Sequence, residues 1–584
     1  MTNLDTAYFT RKMFKHSVLP APLAAVGLAL AEMGDTIIVG HSIGMDGLTA
    51  IGFTSPLFLT ATFFLFGLSM GGAIIYTNLI TAGKTEDALK IFNFFVRLSA
   101  VISFAISIFG FVFEENLLIF LGADPNDSAV YALTKEYIFY ILLGIPFNIL
   151  MGVLCTYLRN DDADTFSIVV QSASGALNLF LSALLIFYFD WGIGGCSFSY
   201  FLSNFLAVLI LIGYIIFRKG GTLSFKGETI SFQESIKPLR LGFATSIEYI
   251  FNAIFTLISI HILIEIDGNE GVAVFNVIEN LAQLFIFIYE FIGKTSQPLF
   301  STFFAEKNFA EMRRVFKYAL IYSLTLGIFS AVLVIFYPQI LNMLFGLDNV
   351  TDVSKVYYAA KVFCIGSILM GICLLLQNYL QSSEDEKSAF LVVFMRRTGA
   401  SIPLAYILAS FGFNAFWLVY PLSEIVTLIT LYLYKRRKFE TTEIETDRIY
   451  TATFTNTLED FETQFEAIKI FAARRKADKH KSNTLRLIVE EVWALLNDTN
   501  KKNSVLIQIT IVAKLDGTFQ LTMRHNGKLV DNFKEMLEDK NIFLIGDEIK
   551  PTELKLNLLK MAKSYSNQFL YRKHYDFNTI TVTV

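Results

Sequence analysis

The sequence has few cysteines and few charged residues for its length. Its 584 residues include four cysteines, Cys155, Cys196, Cys364 and Cys373. Each stands alone in an apolar run, without the spacing that a zinc site or a disulfide framework needs, so we interpret all four as packing residues. Only 17% of the residues are charged and 54% are hydrophobic, more than a soluble core can hide. The mean hydropathy of +0.52 therefore indicates a membrane protein.

The start of the chain also lacks the pattern of a removable signal peptide. Residues 1–16 are polar and basic, and the apolar run that begins at Val18 is long and has no small-residue cleavage site. We therefore expect this run to be retained as the first membrane span.

Long apolar runs dominate the first three quarters of the chain. A membrane-spanning helix needs about 20 mostly apolar residues. Roughly twelve runs meet this requirement, at 18–40, 52–80, 92–113, 131–157, 166–188, 194–217, 241–265, 272–304, 318–343, 356–381, 389–410 and 413–434. Lysines and arginines gather in alternate connections, which places those connections and both termini in the cytoplasm. The sequence thus predicts an all-α polytopic membrane protein.

The apolar part of the chain contains the same unit twice. Leu121-Gly-Ala-Asp124, followed by Tyr157-Leu-Arg159, recurs as Phe345-Gly-Leu-Asp348, followed by Tyr379-Leu-Gln381. Six spans in each copy is an even number, so the two repeats enter the membrane in the same sense and are parallel. We predict an N-terminal six-helix lobe at 1–220 and a C-terminal six-helix lobe at 236–440.

After Lys435 the composition changes from Phe-rich apolar runs to a mixed polar sequence. We interpret residues 445–584 as a separate soluble domain. Its pattern predicts an α+β sandwich with a mixed or antiparallel sheet. The predicted strands are 450–455, 505–513, 518–525, 568–572 and 579–584, and the predicted helices are 459–473, 484–496, 532–537 and 553–564.

Two carboxylates stand within the first predicted span. Asp35 and Glu32 are three residues apart and so share one helical face. An ionisable side chain inside a span is unfavourable by at least about 2.5–3.5 kcal/mol on insertion scales, which makes each a candidate for function. Together they can share a proton or hold a cation. The alternative is that each only hydrogen-bonds a neighbouring helix.

The second repeat carries acidic residues where the first does not. We predict that a group of carboxylates and amides lines a substrate cavity: Glu248, Glu290, Glu424, Asn204 and Gln377. The amides have a second interpretation as links between helices. Lys294 is one turn from Glu290, which favours an ion pair. We interpret Arg396 and Arg397 as snorkelling anchors at the cytoplasmic surface, with capture of an anionic headgroup as the alternative.

Several motifs together resemble the MATE family of multidrug and toxin extrusion transporters. They include Gly34-Asp-Thr-Ile-Ile-Val-Gly40, Gly47-Leu-Thr-Ala-Ile-Gly52, Asn178, Trp191-Gly-Ile-Gly-Gly195 and Pro421-Leu-Ser-Glu424. The resemblance implies two six-helix lobes, a central cavity and export of organic, commonly cationic, compounds against an inward flow of H⁺ or Na⁺.

The family's coupling site matches this chain only in part. Asp35 matches the first-helix carboxylate and Asn178 the fifth-helix amide, but Ser182 replaces a second acidic residue and Tyr200 a threonine. Because one cation ligand is missing, we expect coupling to H⁺ through Asp35, with Glu32 or Glu248 as a second acid. Coupling to Na⁺ is the alternative.

The C-terminal domain resembles the histidine-kinase-like ATPases of the anti-sigma-factor type. Leu485-Arg-Leu-Ile-Val-Glu-Glu491 is similar to their long helix, and Met523-Arg-His-Asn-Gly527 to their nucleotide loop. The resemblance implies that Glu491, Asn526 and Gly527 are remnants of a nucleotide site. His525 replaces the adenine-binding aspartate and Leu495 the Mg²⁺-binding amide, so we predict a non-catalytic domain that regulates transport or binds a protein partner.

The sequence as a whole predicts a secondary antiporter rather than an enzyme. We expect a monomer in the cell membrane that exports small organic compounds, with no cofactor, no metal and no nucleic-acid partner. Two alternatives stay open: a flippase for lipid-linked saccharides of the same superfamily, which needs a strongly basic cavity, and a membrane-anchored ATP-binding signalling protein.

Overall fold

A computed structural model describes most of the chain. The described residues are 7–19, 26, 29, 33–81, 84–161, 163–218, 222–347, 353–439, 448–475, 477–500, 504–514, 516–528, 559–560, 563–564, 566, 568–574 and 577–584. Glu32, one of the predicted coupling residues, lies outside them.

The first lobe consists of helices joined by short connections in its described part. Its helices are α1 Tyr8–Ser17, α2 Gly34–Ser42, α3 Met45–Thr81, α4 Thr85–Val112, α5 Glu114–Leu121, α6 Ser128–Arg159, α7 Asp164–Phe187 and α8 Gly192–Phe217. The second half follows with α9 Phe232–Ala305, α10 Phe309–Phe336, α11 Gln339–Phe345, α12 Val353–Ser382, α13 Glu386–Phe394, α14 Ser401–Ala409, α15 Phe413–Phe416 and α16 Val419–Phe439. A π-helical turn, Met395–Gly399, joins α13 to α14.

Ten helical segments of the described chain are long and apolar enough to cross a membrane. Two predicted spans, 241–265 and 272–304, lie within α9, which is broken at Gly268, where φ 65° and ψ −150° are not helical. The predicted first span, 18–40, falls largely on residues that the structure does not describe. The total of twelve spans therefore stays a prediction.

The surface of α4 shows how these helices suit a lipid environment. Its outward face carries Val101 and Phe109, which are 66% and 62% exposed, whereas the buried face carries Ser99, Ser103 and Ser107. Small residues on the packed face let helices approach closely when the surroundings are as apolar as the side chains. Apolar groups outside and small polar groups inside are what a membrane helix requires.

The sequence repeat has a structural counterpart. The short helices α5 and α11 occupy equivalent positions in the two copies, and each ends at a glycine, Gly122 with φ 110° and Gly346 with φ 65°. This left-handed conformation is unfavourable for a residue with a Cβ atom, so glycine ends both helices. The repeated Leu-Gly and Phe-Gly pairs are therefore helix ends.

The C-terminal part forms a five-stranded sheet with helices. The strands are β1 Ile449–Thr455, β2 Leu506–Ala513, β3 Phe519–His525, β4 Gln568–His574 and β5 Phe577–Thr583, and the helices are α17 Leu458–Arg474 and α18 Lys479–Thr499. The order is β1-β2-β3-β5-β4, and every pair is antiparallel. All five predicted strands and the first two predicted helices are confirmed. The other two predicted helices fall almost entirely outside the described residues.

One face of this sheet packs on α17 and α18, through residues such as Ile507, Ile509 and Leu521. Strand residues alternate between faces, so polar side chains form the opposite face. That face is also buried: Gln508, Thr510 and Arg524 are each no more than 2% exposed. The polar face of the sheet lies against the membrane domain.

The contact joins β2, β3 and β5 to the turn between α9 and α10. Arg524 forms an ion pair with Glu306, and both side chains are less than 10% exposed. Asn308 Nδ2 donates to Thr510 Oγ1 at 3.1 Å. Phe577 meets Phe9 of α1 edge to face, with ring centroids 5.2 Å apart. Phe9 and Phe577 share an apolar cluster with residues of α9 and α10.

Candidate functional site

Asp35, near the start of α2, accepts hydrogen bonds at both carboxylate oxygens. Asn178 Nδ2 of α7 donates to Oδ2 at 2.8 Å, and Ser182 Oγ donates to Oδ1 at 2.8 Å. Ser182 and Ser199 Oγ of α8 are 2.6 Å apart. Both serines are fully buried. A single carboxylate is thus held by two neutral donors of α7, and one of these donors contacts a serine of α8.

The glycines of the first motif allow this approach. A Cβ atom on Gly34 would lie 2.1 Å from Leu179 of α7, the residue after Asn178. A Cβ atom on Gly40 would lie 2.3 Å from the backbone oxygen of Phe345 at the end of α11. Glycine at 34 therefore lets α2 press against α7, which brings Asp35 to Asn178. Glycine at 40 lets α2 contact the second lobe.

The structure brings Asp35 and Asn178 together and adds the two serines. Ser182 stands where the family pattern has an acid, and this hydroxyl donates to the carboxylate that the acid would repel. Asn178 Oδ1 is buried and has no hydrogen-bond partner among the described residues. The cluster therefore has a free acceptor next to its carboxylate.

The second-lobe carboxylates have different partners. Glu424 of α16 accepts from Arg396 Nε at both oxygens, at 3.0 and 2.9 Å. Glu290 pairs with Lys294, one turn along α9, which confirms the predicted ion pair. Cationic side chains thus neutralise two of the three predicted carboxylates.

Glu248 is bound by an amide instead. Gln377 Nε2 of α12 donates to Glu248 Oε2 at 3.2 Å. The structure therefore brings two of the predicted cavity residues together. Asn204, the remaining one, accepts from Asn148 at 3.3 Å and donates to the backbone oxygen of Tyr200. This agrees with its interpretation as a link between helices in the first lobe.

The interpretation of Arg396 as a snorkelling anchor is wrong. Its side chain is 2% exposed and lies ten residues into the segment Glu386–Ala409. Hydropathy alone cannot show this, because the partner Glu424 lies 28 residues away in sequence. Next to this pair, Tyr420 Oη donates to Glu279 Oε1 at 2.8 Å, a contact that the sequence interpretation also missed.

The proposed nucleotide remnants take part in bonds within the C-terminal domain. Asn526 Oδ1 accepts from the backbone N–H of Leu506 at 2.9 Å, and the backbone oxygen of Gly527 accepts from Asn578 Nδ2 at 2.9 Å. Glu491 is buried on α18. Burial also lowers the pKa of His525 to about 4, so this ring is neutral at pH 7. The assignment of these residues as remnants of a nucleotide site in a non-catalytic domain stays a prediction.

Metal binding finds no support in the described residues. Among them, no group of three or more His, Cys, Asp or Glu side chains is placed to hold a metal ion. All four cysteines are free and buried, as the packing interpretation predicts.

Long apolar helices with buried, paired charges inside them define a multi-pass membrane protein. The chain belongs to the MatE family, whose model matches residues 20–184 and 244–407, once in each half and together more than half of the chain. This is a family of transporters, which confirms that the chain is not an enzyme.

Curated relatives cover the membrane domain. The chain is 21% identical over 434 residues to the probable multidrug resistance protein YoeA of Bacillus subtilis, covering 71% of this chain and 91% of the relative. It is 24% identical over 452 residues to the FAD transporter of Shewanella oneidensis, covering 72% and 96%. To the multidrug export protein MepA of Staphylococcus aureus strain MRSA252 it is 23% identical over 438 residues, covering 73% and 94%.

The solved structures share the fold. One is described as the inward-facing conformation of a multidrug resistance MATE family transporter of the MOP superfamily. It matches with a TM-score of 0.66 and 18% identity, over 71% of this chain and 96% of that one.

Proposed function

We propose that this protein is a secondary antiporter that exports organic drugs or metabolites in exchange for H⁺, with Asp35 as the coupling residue. The observation that carries the proposal is the pair of neutral donors, Asn178 and Ser182, on a carboxylate inside the membrane domain. Neutral donors stabilise the charged form without cancelling its charge. Taking up a proton therefore changes the net charge of the cluster by one unit.

The same cluster favours H⁺ over Na⁺. Sodium needs several oxygen ligands directed at one point, but Ser182 stands where the family pattern has a second carboxylate, and its hydroxyl donates to Asp35. A proton on Asp35 needs one acceptor, and Asn178 Oδ1 is a buried acceptor with no partner among the described residues. The cluster thus already contains an acceptor for the hydrogen bond of a protonated Asp35.

The substrates that we propose are small organic compounds with a cationic group. Glu248 supports this proposal because its direct hydrogen-bond partner, Gln377, is a neutral amide. A carboxylate with an amide partner attracts a cation more strongly than one that is paired with arginine or lysine. Export of more than one drug is consistent with the names of two relatives, a probable multidrug resistance protein and a multidrug export protein.

We propose that the C-terminal domain regulates transport from the cytoplasmic side, where both termini lie, and that the protein acts as a monomer in the cell membrane. The supporting observation is the buried ion pair of Arg524 with Glu306, next to the turn between α9 and α10. A domain bound to this turn restrains the movement of both helices. A further protein partner for 445–584 would act by shifting this contact.

Coupling is tested in inverted membrane vesicles that contain the full chain. We expect Asp35→Asn to abolish uptake of a fluorescent organic cation under an imposed proton gradient, while the variant still reaches the membrane. Asp46→Asn removes an exposed carboxylate at the start of α3 and serves as the control. Uptake by Asp35→Asn at the wild-type rate, or uptake driven only by a sodium gradient, would contradict the proposal.

Regulation is tested by exchanging the charges of the ion pair. Glu306→Arg and Arg524→Glu each place like charges in contact, so we expect each to release the domain and change the export rate. The double variant restores opposite charges and should restore the wild-type rate. Single variants that expose the domain to limited proteolysis but export at the wild-type rate would show that the contact has no regulatory role.

A further inference from the structure

The connection between the two lobes is attached to the first lobe by a buried aspartate. Asp161, which follows α6, is 8% exposed and forms an ion pair with Arg218, the residue after α8, at 3.1 Å. The same carboxylate accepts from the backbone N–H of Thr222 at 3.2 Å and from the Thr222 hydroxyl. Tyr76 Oη of α3 donates to it as well, at 3.1 Å. Asp161 thus joins α3 to the start of the connection.

Side chains of the connection also enter the packing of the first lobe. Leu223 is buried and belongs to the main apolar cluster of the membrane domain. Phe225 packs on Phe92 of α4, with ring centroids 5.6 Å apart. Further along, the backbone oxygen of Gly227 accepts from Arg97 at 3.3 Å. Apolar side chains, and not only polar contacts, therefore hold the connection against the first lobe.

Each lobe has a group of three aromatic rings at this end, in which two rings meet a tyrosine edge to face. The centroid distances to that tyrosine are 5.4 and 5.2 Å in the first lobe and 5.3 and 5.0 Å in the second. The first triad is Tyr76, Phe92 and Tyr157, and the second triad is Phe300, Phe316 and Tyr379. Tyr157 and Tyr379 are the tyrosines of the sequence repeat, so the repeat extends to this packing.

The second triad is also covered by segments from outside its six helices. Its rings share an apolar cluster with Phe9 of α1 and Phe577 of the C-terminal domain. Asp385, in the connection after α12, forms an ion pair with Lys435 near the end of α16. Its position in the second lobe is equivalent to that of Asp161 in the first. Both triads are therefore surfaces on which another part of the chain docks.

We propose that residues 222–231 are a strap that limits how far the two lobes can separate at the end where the connection lies, with the first triad and Asp161 as its docking site. An extended chain spans at most about 3.3–3.6 Å per residue. From the docked ring of Phe225, six residues lead to Ser231 at the start of α9, which allows about 20 Å. From Arg218, with the strap released, thirteen residues lead to Ser231 and allow about 45 Å. The docked strap therefore keeps the start of α9 close to the first lobe.

The test measures the distance between the lobes in the full chain in nanodiscs. All four native cysteines are buried, so spin labels are attached at two exposed positions, Thr85→Cys in α4 and Gln233→Cys in α9. Asp161→Ala removes the acceptor of Thr222 and Arg218 together, and a buried donor without an acceptor is unfavourable. We expect electron–electron double resonance to show that the longest populated distance increases by at least about 10 Å, within the about 25 Å that release of the chain allows.

Hydrogen exchange of the backbone amides of 222–231 shows in the same samples whether the strap is released. We expect exchange to be at least about tenfold faster in Asp161→Ala, since local opening sets the exchange rate. The double variant Asp161→Ala with Phe225→Ala also removes the ring that packs on Phe92 and should show the larger effect on both measurements. Asp164→Ala, at an exposed aspartate of α7, is the matched control and should change neither.

Two outcomes would overturn the proposal. Exchange in the double variant as slow as in the wild type would show that the first triad and Asp161 do not hold the strap. Faster exchange with an unchanged distance between the labels would show that the strap does not limit the lobes. Both measurements are made at equilibrium without substrate or an ion gradient, so their results are independent of the proposed coupling ion and substrates.

Discussion

Asp35 in the first lobe and Glu424 in the second are both carboxylates of the membrane domain, but their partners differ. Asp35 accepts from an amide and a hydroxyl. Glu424 accepts from a guanidinium at 2.9 Å, and the two side chains are 8% and 2% exposed. The first cluster thus carries a net negative charge when Asp35 is ionised, whereas the second pair is neutral as a unit.

The difference in partners distinguishes a carboxylate that can exchange a proton from one that has a structural role. A carboxylate with neutral partners gains from binding a proton or another cation, because its charge is otherwise uncompensated. A carboxylate paired with arginine would lose its ion pair if it were protonated. We therefore propose that the first lobe exchanges the proton and that the Arg396–Glu424 ion pair of the second lobe has a structural role.

We expect the largest effect, a loss of stability, when the ion pair between Arg396 and Glu424 is broken. Glu424→Gln leaves the Arg396 guanidinium buried without its counter-charge, so we expect a loss of about 3–5 kcal/mol in the free energy of unfolding. Thermal unfolding of the purified protein in detergent measures this as a lower melting temperature. The double variant Arg396→Met with Glu424→Gln removes both charges and should recover most of the loss. A single variant as stable as the wild type would show that the pair is not buried as described.

A smaller effect is expected at the hydroxyl that holds Asp35. Ser182→Ala removes one of the two described donors to the carboxylate, and we expect proton-driven export to fall by about tenfold, the usual value of a hydrogen bond to a charged group. Ser172→Ala, at an exposed position of the same helix, is the control and should export at the wild-type rate. If Ser182→Ala exported as fast as this control, the serine would be a packing residue only.

Much of the architecture could be predicted because its signals are local in sequence. Apolar runs show the spans, and the two Gly residues that end α5 and α11 recur because both helix ends need a left-handed conformation. The alternation of apolar and polar residues is also a local signal, and it predicts β1 to β5. The meeting of Asp35 with Asn178 followed from the family motif rather than from the pattern of the residues.

The rest depends on packing that local patterns do not encode. The sequence predicts a surface position for Arg396 because lysines and arginines near span ends usually lie there, and only the packing of α16 reveals Glu424 beside it. Alternation in β2 and β3 predicts that Gln508, Thr510 and Arg524 face solvent, yet contact with the membrane domain buries them. Ser182 was noted as a departure from the family pattern, but its bond to Asp35 became visible only in the structure.

We propose that Asp35, and not Glu424, exchanges the coupling proton. The most direct test is proton release on substrate binding, measured with a pH indicator in weakly buffered nanodiscs at a pH where the wild type shows its largest release. We predict that a fluorescent organic cation such as rhodamine 123 releases up to about one proton per wild-type molecule and none from Asp35→Asn. The double variant Arg396→Met with Glu424→Gln should release as many protons as the wild type with the same dye. Equal proton release from the wild type and Asp35→Asn would contradict the account.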